Sequence, residues 1–134
     1  MEKVVLDTSV VVKWFVEEEN SKKALDFLEK YRLGKLKILA PEIIGLELAS
    51  ALFFGVGLRR KILQEALGAF YDLGLTLISL DESLVKEASK YSEKFKIATY
   101  DALFIVLAEK EKCFLVTADK KHHQQRFSRR IKYL

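Results

Sequence analysis

A three-layer α/β/α sandwich with a central, mostly parallel sheet, formed by one domain over residues 1–134, is the fold class this sequence predicts. Three observations lead there: four short apolar runs, helical periodicity between each consecutive pair of them, and turn chemistry at the junctions. Strands joined through helices require crossover connections, so they pair in parallel and are covered on both faces.

The first run, Val4 to Leu6, ends at Asp7 and reads as a strand. Helical spacing follows over Ser9 to Val16 and Ser21 to Leu33, with Asn20 placed to N-cap the second stretch and Gly34 to end it. Ile38 to Ala40 is the second strand, and Pro41 suits the first turn of a helix over Glu42 to Phe54. A helix over Arg60 to Leu73 then stops at Gly74, before a third strand in Leu75 to Leu80. Asp81 can N-cap Glu82 to Phe95, and Thr99 can cap Tyr100 to Lys110. The last of these helices is apolar on every side, as a helix buried within the fold must be. Phe114 to Val116 completes the set of strands, and Ile131 and Tyr133 can seat in a further one.

Half of the residues are hydrophobic, with six Gly and one Pro, which excludes a disordered or collagen-like chain. No apolar run approaches the roughly twenty residues of a membrane span. No signal-peptide pattern precedes Asp7, so the expected setting is soluble and cytoplasmic. The lone cysteine, Cys113, excludes an intrachain disulfide and a thiolate zinc cage, and its neighbours make it a buried strand residue. Residues 120–134 hold six Lys or Arg and no acid, whereas the remainder holds 17 basic and 19 acidic residues, a balance of −2. A basic tail beside an acidic body suits a polyanion, with Lys120, Lys121, Arg129 and Arg130 as candidate phosphate contacts.

Four acids carry the candidate chemistry. Asp7 and Asp119 each follow a strand, at the carboxyl edge where open parallel sheets bind ligands. Either could simply make a turn or cap a helix. Glu47 falls in the middle of the stripe formed by Ile43, Ile44, Ala51 and Phe54, where an unpaired carboxylate costs several kcal/mol. Asp101 opens the buried helix, where the helix dipole favours an anion. If the four converge, two unit charges about 5 Å apart at an effective dielectric near 20 cost about 3 kcal/mol. A divalent cation removes that cost, and an all-oxygen donor set selects Mg²⁺ or Mn²⁺. His122 and His123, adjacent in a polar stretch, are expected in solvent. Trp14 is expected to pack in the core.

Val5-Leu6-Asp7-Thr8-Ser9, the isolated Glu47, Tyr100-Asp101-Ala102 at a helix start and Leu115-Val116-Thr117-Ala118-Asp119 together resemble the PIN-domain ribonucleases, and more narrowly the VapC-type toxins of toxin-antitoxin pairs. The likeness runs from the first strand to Asp119. It implies a metal-binding catalytic pocket of Asp7, Glu47, Asp101 and Asp119 supported by Thr8, Ser9 or Thr117, and a single-stranded or looped RNA substrate. It also implies a homodimer and an inhibitory antitoxin, for which an outward-facing Phe53 could supply apolar surface. The polar segment Lys120 to Arg126 departs from the family pattern.

Other readings fit less well. A haloacid-dehalogenase-type phosphatase needs a second Asp two residues after the first, where Ser9 stands; a response-regulator receiver needs paired acids there; and no P-loop is present. A PIN-like module that binds RNA or protein without cutting is the alternative from another class, and the presence of all four acids argues against it.

Overall fold

The computed structural model describes all residues, 1–134. Five parallel strands form its sheet: β1 (Glu2–Leu6), β2 (Leu36–Pro41), β3 (Thr76–Ile78), β4 (Phe114–Thr117) and β5 (Ile131–Tyr133), in the order β3-β2-β1-β4-β5. The helices are α1 (Thr8–Val11), continued by a 3₁₀ turn over Val12–Trp14, α2 (Ser21–Arg32), α3 (Ile44–Ser50), α4 (Arg60–Asp72), α5 (Glu82–Phe95) and α6 (Thr99–Glu111). The chain moves outward from β1 through β2 to β3, then crosses back to β4 on the other side of β1. Right-handed crossovers in opposite directions put their helices on opposite faces, giving the expected sandwich. Val4, Val5, Leu6, Ile38, Leu39 and Leu115 are almost fully buried at its centre.

The strand order reverses between β1 and β4, which pair directly with Leu6 opposite Val116. At such a switch point the loops leaving the two strands diverge to opposite faces and open a crevice at the carboxyl edge. Asp7 and Asp119 sit there. The run from Asp101 to Ala108 is buried throughout, as its unbroken apolarity requires, and α6 packs across β1, β2 and β4.

Several local expectations are corrected. The helix after β1 is only one turn before it tightens to 3₁₀. Asn20 adopts a left-handed conformation and caps nothing; Ser21 holds that corner, its Oγ accepting from the Glu18 N–H at 2.8 Å and donating to the Val16 carbonyl. Pro41 ends β2 instead of starting a helix, because the next two residues turn before α3 begins. Thr99 is the first residue of α6 and Ala98 the cap, whereas Asp81 does cap α5 by accepting from the Leu84 N–H. Cys113 is buried immediately before β4, and Trp14 packs inward with its indole N–H donating to the Ala24 carbonyl at 2.9 Å.

The third helix carries the largest revision. Its buried stripe is Ile44, Gly45, Leu48 and Leu52, so Glu47 lies at the edge of the stripe, half-buried, with its carboxylate facing the crevice. Beyond Ser50 the helix widens to a π-helix over Ala51–Val56. That widening rotates the following side chains away from α-helical positions, so Phe54 is 82% exposed and Phe53 half-buried, the reverse of what a regular helix predicts.

Gly45 lets α4 approach: a Cβ there would lie 1.9 Å from Tyr71 Oη and 2.8 Å from Cζ. Gly45→Ala gains up to about 1 kcal/mol of helix propensity but displaces the Tyr71 ring. In a double-mutant cycle by urea denaturation, Gly45→Ala should be clearly more favourable in a Tyr71→Ala background than in the parent. Equal effects in the two backgrounds would remove the contact from the account of α3 placement.

Candidate active site

Asp7 is 3% exposed and its carboxylate accepts three hydrogen bonds. Ser9 Oγ donates to Oδ1 at 2.5 Å, Thr117 Oγ1 donates to Oδ2 at 2.5 Å, and His123 Nδ1 donates to Oδ2 at 2.7 Å. The Ala118 N–H donates to Ser9 Oγ and the Asp119 N–H to Thr117 Oγ1, so the loops leaving β1 and β4 are tied through one carboxylate. An ionised carboxylate has about four acceptor positions, and these three donors leave Oδ1 able to accept one more ligand.

His123 overturns its expected solvent exposure. Asp119 makes a tight turn, with the His122 N–H donating to Oδ1 and the His123 N–H to the Asp119 carbonyl, and the turn sends His123 inward beside the Phe104 ring. There it is 3% exposed, and its Nε2 donates to the Asp101 carbonyl at 3.0 Å. A neutral imidazole has one N–H, whereas both His123 nitrogens face acceptors, so the charged form satisfies the site best. Burial opposes that charge, but the Asp7 bond and charge, aided by Asp101, outweigh it and raise the pKa above the ordinary histidine value. Nothing in the periodicity of Lys120 to Gln125 marks this residue. The one available signal was that a carboxylate buried at a strand end needs a cationic partner, and a histidine follows Asp119 closely. His122 is half-exposed, as expected, and bonds Asp119 Oδ2 through Nδ1 at 2.8 Å.

The remaining acids border the same crevice. Thr8 Oγ1 donates to Glu47 Oε1 at 3.0 Å. Burial raises the Glu47 pKa against that bond, and the charges of Asp101 and Asp7 raise it further. Asp101, in the first turn of α6, is also raised, chiefly by burial, with the histidines opposing and Asp119 and Asp7 adding. Asp119 is lowered on balance: burial would raise it, but the hydrogen bonds and charge of His122 prevail. Glu47 thus feels Asp101 and Asp7, and Asp101 feels Asp119 and Asp7, which chains the four acids into one neighbourhood.

The proposed phosphate contacts separate. Lys121 lines a trough beside Asp101, while Lys120 lies over the Tyr133 ring on another side. Arg129 and Arg130 precede β5, at the opposite edge of the sheet from the acids, and Arg130 pairs with Glu109. Glu109 lies about 12 Å along α6 from Asp101 at 1.5 Å per residue. A surface hollow of about 590 Å³ between the first 3₁₀ turn and α2 involves none of these acids.

No three His, Cys, Asp or Glu side chains stand close enough to form a closed metal cage. The donor chemistry nonetheless fits a hard cation: oxygens only, partly buried, and with Glu47 and Asp101 held back from ionisation by burial and by their neighbours. Mg²⁺ commonly keeps several waters and takes one or two carboxylates, so a closed protein cage is not required.

Two outcomes are expected of the metal-free protein. Glu47→Gln should raise the melting temperature by a few degrees, about 1 kcal/mol being worth roughly 4 °C in a domain of this size; a lower melting temperature would show Glu47 to be stabilised by its neighbours. Stability should also fall as pH rises. A histidine raised above 6.5 contributes fully below that value and loses its contribution as pH passes through the folded-state pKa, and the raised Glu47 and Asp101 act in the same direction. Thermal melts from about pH 6 to about pH 8.5 should show the decline, and His123→Gln should flatten it. A flat parent profile would exclude the imidazolium.

Comparison with known proteins agrees with this fold. The sequence model of the PIN domain matches residues 4–128. None of the curated proteins compared with the chain matches it. Among solved structures, the fold is similar to the Mycobacterium tuberculosis toxin VapC20, described as cleaving the sarcin-ricin loop, at TM-score 0.66, 11% identity and coverage of 86% of this chain and 87% of that one. It is similar to VapBC2 of Rickettsia felis, bound to a DNA fragment from its promoter, at TM-score 0.66 and 20% identity over 98% of both chains. A toxin-antitoxin complex from Klebsiella pneumoniae matches at TM-score 0.61 and 15% identity, over 89% of this chain and 88% of that one. With its sequence matched over residues 4–128 and its parallel sheet in the order 3-2-1-4-5, the chain belongs to the PIN domain family.

Proposed function

We propose that this chain is a single-domain, Mg²⁺- or Mn²⁺-dependent endoribonuclease of the cytoplasm, acting on single-stranded or looped RNA as the toxin of a toxin-antitoxin pair. The observation that carries the reading is the gathering of Asp7, Glu47, Asp101 and Asp119 around one crevice, where Asp7 and Asp101 oppose ionisation of Glu47, and Asp7 and Asp119 oppose that of Asp101. Membership of the PIN family and the toxins among the structures of similar fold support it.

In this reading the four carboxylates would hold the cation, which when bound supplies positive charge to a phosphodiester and makes water a nucleophile at neutral pH. The protein's own part is placement. Ser9 and Thr117 fix the Asp7 carboxylate, Thr8 fixes Glu47, and His122 holds Asp119. His123 neutralises part of the Asp7 charge and anchors the start of α6 through the Asp101 carbonyl. Lys121 and Arg126, in the trough beside Asp101, would bind flanking phosphates.

The partners proposed are a second copy and an antitoxin. Phe54 at 82% and Ile62 at 63% exposure offer the apolar surface for a homodimer, in place of Phe53. Co-expression with the neighbouring small gene should relieve growth arrest and yield a co-purifying complex, and light scattering should report a dimer.

The nuclease assay uses a pool of cellular RNA. Cleavage should require Mg²⁺ or Mn²⁺ and stop with EDTA. Asp101→Asn and Glu47→Gln should each lower the rate by about a hundredfold or more, the usual scale for removing one preorganised electrostatic group. Both should retain a cooperative melt. Cleavage that persists in EDTA, or in both variants, would detach the activity from the acids, and intact RNA in every metal would leave the non-cutting module as the better reading.

A further inference from the structure

Tyr100 forms a ridge between two concavities of different character. On one side lies a hollow of about 440 Å³ lined by Ile43, Leu46, Ser50 and Tyr100, with Thr8 and Glu47 at the end facing the acids. On the other lies a trough of about 330 Å³ that Tyr100 and Asp101 share with Lys96, Lys121 and Arg126. Leu46 is 70% exposed and Tyr100 51%, an energetic cost for an apolar pair beside an acidic crevice unless something covers them. Lys96 and Lys121 form no ion pair within the chain.

We propose that the hollow is a nucleobase subsite in which one base of a single strand stacks on Tyr100 against Leu46 and Ile43, while the trough takes the adjoining phosphates. The proposal rests on the nuclease reading and specifies how its substrate is held. An aromatic face next to unpaired cations is the arrangement by which single strands are bound without sequence readout, since every base has a stacking face and every nucleotide a phosphate. The cations also serve a purpose that an apolar protein segment would not require: a polyanion approaching four carboxylates needs compensating charge nearby, and Lys96, Lys121 and Arg126 supply it on the side of Tyr100 away from Glu47. The base would then sit on the Glu47 side and the backbone would pass over Asp101, bringing a phosphodiester to the carboxylates.

The test is fluorescence anisotropy with a labelled single-stranded RNA of about ten nucleotides and an abasic oligomer of equal phosphate number, in Ca²⁺ to suppress turnover. The parent should prefer the base-bearing strand by about tenfold. Tyr100→Ala, at an exposed position, should erase the preference without altering affinity for the abasic strand, and Tyr100→Phe should restore it. Lys96→Gln with Lys121→Gln should weaken both strands alike and reduce the dependence on salt. Equal parental affinities, or a preference that survives Tyr100→Ala, would overturn the subsite. So would competition for the hollow by a synthetic amphipathic peptide that leaves the base preference intact, which would assign the hollow to a protein partner. Because the readout is binding, the preference with no cleavage in any metal supports the subsite and removes the nuclease reading, whereas cleavage without the preference removes the subsite alone.

Discussion

The Asp7 carboxylate is the point on which the candidate site depends. It is buried, it ends the central strand, and it collects donors from Ser9 on its own loop, Thr117 at the end of β4 and His123 beyond. Through His123 it reaches the first turn of α6 as well, because the other ring nitrogen holds the Asp101 carbonyl. Three segments far apart in sequence are thus brought to one carboxylate, and the acid-bearing loops cannot assume their places separately. Breaking a buried pair by removing one partner costs about 3–5 kcal/mol, since it strands the other charge. Asp7 therefore combines a structural task with its place among the acids, which makes it a poorer probe of chemistry than Asp101 or Glu47.

The two sides of the crevice are treated differently. Asp7 and Asp119 each have a histidine against them, and Asp119 is lowered accordingly. Glu47 has only the Thr8 hydroxyl, and Asp101, whose carbonyl rather than its carboxylate bonds His123, lacks a direct side-chain partner; both are raised, chiefly by burial. The uncompensated charge thus lies between α3 and the start of α6. A cation entering there would relieve Glu47 and Asp101 most, while Asp7 keeps one acceptor position free of protein donors.

Most of the fold was legible because its signals are redundant. The four principal strands are apolar runs, and α6 is apolar around its whole circumference, so burial on both faces of a sheet could be inferred without tertiary information. The acids were legible for the related reason that carboxylates at strand ends and at a buried helix start stand out against an apolar background. The failures lie where local rules were overridden. The stripe on α3 was read with Phe54 inside it, but a π-helix takes over at Ala51 and turns Phe54 outward. The stripe also lies to the other side of Glu47, because Gly45, silent in a hydrophobicity pattern, belongs to it as the point where Tyr71 packs. His123 was hidden by its neighbours: a run of polar residues reads as solvated, yet a turn closed on Asp119 buries one member of the run. Arg129 and Arg130 were grouped with Lys121 by charge alone, and β5 carries them to the far edge of the sheet.

That last separation bears on what a basic tail signifies. Net charge along a chain measures attraction for a polyanion but not the place where it binds. Of the tail's six cations, Lys121 and Arg126 reach the acidic crevice, and Lys96 joins them from the end of α5, outside the tail. Arg130 is instead engaged by Glu109, where it serves packing at the far end of α6. Only part of the basic tail therefore stands where a polyanion held at the acids would meet it. What places cations beside the acids is the Asp119 turn, which folds the chain back over the start of α6 while burying His123 beneath it. The same short segment thus anchors Asp7 from within and presents Lys121 and Arg126 on the outer surface. A departure from the family pattern here concerns the site directly, since it bears on both the fixing of the carboxylates and the path by which a phosphate chain can approach them.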